Sequence, residues 1–169
     1  MKEKISGWAF GILSSIFSMI LFYDSRLYAQ STISLYYTFI GIYGWVYWYK
    51  AKQKDEHIKV WNWKMHIIAC LCFTFLSLTA AWFFKHYTNS GSPYLDSFIT
   101  LFGFLASIKE ARKILSSWVY WFVLNFLSCW LYYSSHLYFY SVMMVIYSGI
   151  CIPGYLNWKK IYLEHTKST

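Results

Sequence analysis

Long stretches without a single Asp, Glu, Lys or Arg set the pattern of this chain. Ile5–Tyr23, Leu27–Tyr49, Met65–Phe84 and Ser97–Ile108 are four of them, and a fifth runs from Ile114 to Trp158. A helix that crosses the hydrocarbon of a bilayer needs about 20 mostly apolar residues. The first three stretches each fit one crossing, and the fifth is long enough for two. Its polar break, Ser134-Ser135-His136, divides it into Ser117–Tyr133 and Leu137–Trp158. The fourth crossing extends over Tyr94–Leu115, with Arg112 and Lys113 expected at the interface, where long side chains can snorkel to water. The pattern predicts an all-α, polytopic membrane bundle of six transmembrane helices.

The charges test that count independently. With alternating spans, one side receives Lys2, Lys4, Lys50, Lys52, Lys54, Lys59, Lys64, Lys109, Arg112, Lys113, Lys159, Lys160 and Lys167, while the other receives only Arg26 and Lys85. This asymmetry fits the positive-inside rule, puts both termini in the cytoplasm, and would be scrambled by one miscounted span. The expected location is a cell membrane, crossed several times. Lys2 and Lys4 imitate the start of a signal peptide, but the apolar stretch is too long and no A-x-A-like site follows. The composition agrees: of 169 residues, 58% are hydrophobic, 24% aromatic and only 13% charged. Soluble domains carry about 25% charged residues, so an ordinary cytosolic enzyme or a disordered chain is excluded.

The chain also repeats itself. Shifted by 110 positions, Trp8–Lys50 aligns with Trp118–Lys160 without a gap. Identical pairs include Trp8/Trp118, Leu21/Leu131, Tyr23/Tyr133, Leu27/Leu137, Tyr28/Tyr138, Tyr37/Tyr147, Gly44/Gly154, Trp48/Trp158 and Lys50/Lys160. Each copy reads as a helical hairpin. The copies begin four spans apart, so both enter the membrane from the same side, as in parallel repeats that hold substrate between them at mid-depth. One domain, 1–169, is expected: a first repeat over 8–50, a linking helix over 65–84, and a second repeat over 94–160 that contains the hairpin 118–160. A transporter is favoured over a channel or receptor.

Several segments resemble the PnuC-type vitamin transporters. They are Trp8-Ala-Phe-Gly11, Leu27-Tyr-Ala29, Tyr43-Gly-Trp-Val-Tyr-Trp48, Ser92-Pro-Tyr-Leu-Asp96-Ser-Phe-Ile-Thr100, Ala111-Arg-Lys113, Trp118-Val-Tyr-Trp121 with Asn125, and Gly154-Tyr-Leu-Asn-Trp158. The likeness covers nearly the whole chain in order. It implies a SWEET-like bundle, usually a homotrimer, that moves nicotinamide riboside or a related vitamin such as thiamine by facilitated diffusion, with trapping by a separate cytoplasmic kinase. The family usually has one further helix before the Trp8–Gly11 motif, so on that pattern either the start is naturally shortened or an upstream segment is not included. Ser34 stands where the family has Gln, Gln30 where it has an acidic residue, and Ser107-Ile108 where it has Gln/Thr-Trp. Lys109-Glu110 replace apolar residues. A non-transport membrane protein with a degenerate site is the competing expectation.

Nicotinamide riboside and thiamine both carry a flat, positively charged ring, which aromatic faces attract by about 2 kcal/mol or more once desolvated. Helical spacing groups the candidates. Trp118, Trp121 and Asn125 share a face of the fifth span; Ser34, Tyr37, Gly41 and Trp45 share a face of the second; Asp96, Thr100 and Ser107 share a side of the fourth. Each has a plainer role. Asn125 is able to bond between helices, Trp121 to pack, Asp96 to cap its helix, and Trp45, Trp48 and Trp158 to anchor at the interface. Gly41, Gly44, Gly149 and Gly154 suit close helix contact, and Pro153 a static kink. The Lys50–Lys64 run reads as a solvated topological determinant. The five histidines are scattered and the four cysteines fall inside spans, so neither metal nor cofactor is expected. There is no phosphate-cradling Gly-rich loop and no catalytic constellation, so the chain is not expected to be an enzyme. The expected partners are the bilayer and a small solute, not nucleic acid.

Overall fold

In a bilayer, each span must satisfy its own backbone hydrogen bonds, and helices do so without help from water. The computed structural model, which describes residues 6–26, 28–53, 57–87 and 92–168, is accordingly all helical. Its six helices are α1 (Ser6–Asp24), α2 (Tyr28–Gln53), α3 (Trp63–Tyr87), α4 (Pro93–Ala111), α5 (Ser117–Ser134) and α6 (Tyr138–Ser168). Lys2, Lys4, Leu27 and Lys54, and the side chain of Lys167, lie outside the described residues. α1 pairs with α2 and α5 with α6, whereas α4 sits centrally, touching α2, α3 and α5. By length and composition, α1, α3 and α6 are apolar enough to span a membrane. α4 lies between α2 and α5 and packs against each of them. Phe10, Phe17, Phe75, Phe126 and Phe139 point outward and are each at least 67% exposed, a surface suited to acyl chains rather than water.

Helix ends follow from local backbone chemistry. α5 closes where His136 takes φ 59°, its N–H bonding Tyr133 O at 3.1 Å while Leu137 N–H reaches Tyr132 O at 2.8 Å. Such a left-handed closing residue satisfies the last free carbonyls. Arg26, 110 positions earlier, ends α1 with φ 58° and its N–H on Tyr23 O. α4 ends in the same way at Lys113 (φ 56°), with Ile114 N–H on Lys109 O. That turn stops α4 at Ala111, short of the expected Leu115, and directs Lys113 inward rather than to the interface. Lys113 is buried, with its Nζ 5.3 Å from the centre of the Trp48 ring. The basic run before α3 is also docked: Ile58 is buried, and Lys59 exchanges backbone hydrogen bonds with Lys113 and Leu115. α6 passes through Pro153 without interruption.

The two hairpins repeat their contacts as well as their residues. The Ser31 hydroxyl bonds Met19 O at 3.0 Å, and the Ser141 hydroxyl bonds Cys129 O at 3.0 Å. Tyr23 meets Tyr28 edge to face at 5.7 Å, as Tyr133 meets Tyr138 at 5.6 Å. Trp8 covers Gly44 and Trp118 covers Gly154, so closely that a Cβ on either glycine would lie 2.5 Å from the ring. The hairpins then join through tryptophan: Trp8 against Trp48 (5.6 Å), Trp48 against Trp158 (5.8 Å) and Trp158 against Trp118 (5.5 Å). Trp48 and Trp158 are therefore core residues, 7% and 3% exposed, and not interfacial anchors. Gly41 lies under Ile12 in the same manner, while Gly149 has open space around it. His57 and His165, remote in sequence, stack at 3.5 Å.

Gly44→Ala and Gly154→Ala should each destabilise the protein by about 1–3 kcal/mol through overpacking. Trp8→Leu should suppress the first and Trp118→Leu the second, but not the converse. Thermal unfolding in detergent of the four single and the matched and mismatched double variants checks this.

Candidate functional site

One face of α4 carries the polar chemistry of the bundle. Asp96, Thr100, Gly103, Ser107 and Glu110 recur at intervals of four, three, four and three residues, which lines them up on a single side of a helix. The upper part of this stripe, away from the lysine-rich end, opens on a cavity of about 780 Å³ between α2, α3, α4 and α5. That volume lies within the range of about 300–1,000 Å³ usual for small-molecule sites. Tyr36, Phe84, Phe104 and Tyr132 provide aromatic walls, and Gln30, Thr32, Asp96, Ser97 and Thr100 provide polar groups. The Ser97 hydroxyl is buried and has no hydrogen-bond partner among the described residues.

Below the cavity the stripe is closed by tyrosines of α2. The Tyr36 hydroxyl donates to Phe104 O at 3.1 Å and shares a hydrogen bond with the Ser107 hydroxyl at 3.0 Å. Its ring lies 4.0 Å from that of Phe104 and 5.4 Å from that of Tyr37. A side chain at Gly103 would meet the Tyr37 hydroxyl at 3.2 Å, so glycine there makes room for the tyrosine. At the lower end of the stripe the Trp121 indole N–H donates to the Glu110 carboxylate at 2.8 Å. Asn125, one turn beyond Trp121, reaches across to the Cys151 thiol of α6 with its Nδ2 at 3.7 Å. An amide inside a span needs such a protein-facing setting.

The expected site residues thus separate. Asp96 and Thr100 line the cavity; Tyr37 and Ser107 form its floor; Trp121 and Asn125 lie beneath it, turned into the bundle. Ser34 is buried on the side of α2 that carries Ser31, Gly41 and Gly44, all three in contact with α1, and its hydroxyl bonds Gln30 O of its own helix. Trp45 is 42% exposed. Trp118 is held against Gly154 and Trp158. Ser34 and Trp45 stand apart from the cavity because residues 34, 37, 41 and 45 spread over more than one side of a packed helix, and Trp118 because its ring is committed to Gly154 and Trp158. Tyr36, Tyr132 and Glu110 are the site residues that the sequence reading missed. The four-three spacing from Asp96 to Glu110 was a visible signal for the last, although Lys109-Glu110 stood out only as a departure from apolar residues. Lys109 is fully buried on the other side of α4, its Nζ 3.4 Å from the centre of the Tyr120 ring and 4.7 Å from that of Trp61. Among the described residues no cluster of three metal-ligating side chains occurs.

This architecture is shared with known transport proteins. The crystal structure of the vitamin B3 transporter PnuC superposes with a TM-score of 0.74 at 21% sequence identity, over 97% of this chain and 75% of that one. The chain is 22% identical over 183 aligned positions to the nicotinamide riboside transporter PnuC of Escherichia coli, covering 92% of this chain and 77% of that protein. It is 24% identical over 182 positions to the nicotinamide riboside transporter PnuC of Neisseria mucosa, covering 98% of this chain and 68% of that protein. The profile of the family described as nicotinamide mononucleotide transporter matches residues 1–160. With apolar helices around a central polar one and a match along nearly its whole length, the chain is a multi-pass membrane protein that belongs to the nicotinamide mononucleotide transporter family.

Proposed function

We propose that this protein carries nicotinamide riboside across a bacterial inner membrane by facilitated diffusion. The observation that carries the reading is the aromatic-walled cavity above the polar stripe of α4. The relatives are named for nicotinamide riboside and the family for the mononucleotide, and these solutes differ in charge. The riboside is a cation, while the mononucleotide adds a phosphate that makes it anionic overall. Among the described residues that line the cavity, Asp96 carries the one formal charge. A negative, partly desolvated wall attracts the first solute and repels the second. Aromatic rings around the space add cation–π attraction. Thiamine, also a cationic ring, is the second candidate, and the names of the relatives favour the riboside.

In this reading the hairpins α1–α2 and α5–α6 are like-oriented halves of a SWEET-like repeat that rock about the Trp48–Trp158 contact. Both termini lie in the cytoplasm, as the excess of basic residues at one end requires. The exposed apolar flanks pack into a homotrimer, and a cytoplasmic kinase traps the riboside by phosphorylation. No gradient or nucleotide drives the carrier itself.

Purified protein in liposomes should take up labelled nicotinamide riboside saturably without an ion gradient or ATP. Unlabelled riboside should compete, thiamine weakly and the mononucleotide not at all. Non-saturable uptake would reject the proposal, and stronger competition by thiamine would reassign the substrate. Trp121→Leu and Asn125→Leu should each lower uptake by about tenfold, the scale of a lost stacking or hydrogen-bonding contact.

With Cys70, Cys72, Cys129 and Cys151 replaced, Thr100→Cys should react with a water-soluble maleimide and Ser34→Cys should resist it. Protection of Thr100→Cys by the riboside is expected; equal labelling of both positions counts against the cavity as the entry route.

A further inference from the structure

We propose that Glu110 is the counter-ion that makes this carrier select a positively charged ring, a specificity role that rests on the transport reading above. The carboxylate is partly buried inside the bundle, and Trp121 is the hydrogen-bond partner the structure gives it, at 2.8 Å. Among the described residues no Lys, Arg or His comes within ion-pair distance of it. Lys109, adjacent in sequence, leaves the opposite side of α4 and sits in the cage of Trp61 and Tyr120. Arg112 turns to the surface, where its Nε donates to the Tyr43 hydroxyl at 3.2 Å. A carboxylate withdrawn from water without a cation is costly, since its desolvation is not offset. A cationic ligand supplies the missing charge.

The surroundings fit such a ligand. Tyr37 of α2 lies against Gly103, two turns before Glu110 on the same stripe of α4. Asn125 bonds the Cys151 thiol, and Trp121 bonds the carboxylate itself. Two aromatic rings, an amide and a carboxylate from three helices thus gather along one side of α4. The rings attract a flat cation through their faces, the amide offers directed hydrogen bonds, and the carboxylate decides the sign of charge admitted. Asp96 holds the opposite end of the same stripe, 14 residues earlier and so about 21 Å away along the helix axis. A cation drawn in at the cavity by one carboxylate therefore meets the second beyond the Tyr36–Phe104–Ser107 floor.

The oxidised and the reduced, dihydropyridine forms of nicotinamide riboside have nearly the same shape, but only the first is charged. Calorimetric titration of the purified full chain should show tighter binding of the oxidised form. Glu110→Gln, which keeps an acceptor for the Trp121 indole, should weaken the oxidised form by about tenfold or more and leave the reduced form within about twofold. Glu110→Asp, which keeps the charge and lengthens the gap to Trp121, should retain the preference and serves if the glutamine variant does not fold. Unchanged preference in Glu110→Gln overturns the proposal. Equal weakening of both forms also overturns it, because Glu110 would then only position Trp121. A wild-type protein that binds neither form defeats the transport reading instead, whatever the variants do. Uptake by the wild type that follows an imposed proton gradient, and ceases to do so in Glu110→Gln, would make the carboxylate a proton carrier and overturn the counter-ion role.

Discussion

A tryptophan ring laid over a glycine, made twice, is the contact on which the rest of the bundle depends. Trp8 on Gly44 and Trp118 on Gly154 bring the two helices of each hairpin together at a distance no other residue pair would allow. In lipid there is no hydrophobic drive between helices, so close packing and ring contacts carry the association. An edge-to-face aromatic pair adds about 0.5–1.5 kcal/mol beyond the area it buries. The same geometry turns Trp48 and Trp158 toward each other, so the hairpins meet through indoles rather than through backbone. What is left on the other side of α2 and α5 is space, and α4 fills it.

Placing a helix with a polar stripe between two tightly stapled hairpins has a chemical consequence. Hydroxyls and carboxylates that lipid would not tolerate are kept among tyrosines, tryptophan and an asparagine. The bonds that Tyr36 makes to Ser107 and Phe104 O use those groups to close the cavity floor. Cationic side chains are kept out of this space by the same packing. Lys109 is turned into an aromatic cage, and Lys113 is drawn under Trp48 by a left-handed turn. The interior facing the cavity is left with acidic and aromatic character, although the chain as a whole carries a net charge of +8.

Much of this was written in the order of residues. The helices follow the charge-free runs, because a span with no charge and few breaks has one low-energy arrangement in a bilayer. The hairpin break at Ser134-Ser135-His136 was equally legible, and Ser31 and Ser141, 110 positions apart, make equivalent bonds. Asp96 and Thr100, expected to share a side of their helix, both line the cavity, because i, i+4 spacing on one helix is a local property. Ser34, Trp45 and Trp118 do not line the cavity, because a helical face has no address until its neighbour is known.

Local sequence therefore determined where helices begin and end, which residues share a side, and that two segments would fold alike; backbone hydrogen bonding and lipid immiscibility act on a few consecutive residues at a time. Tertiary packing alone decided which side of α4 faces the cavity, and hence that Glu110 points inward while Lys109 is caged behind it. Adjacent residues on a helix lie about 100° apart. Which of them becomes chemistry and which becomes structure depends on where α2, α3 and α5 are placed around it.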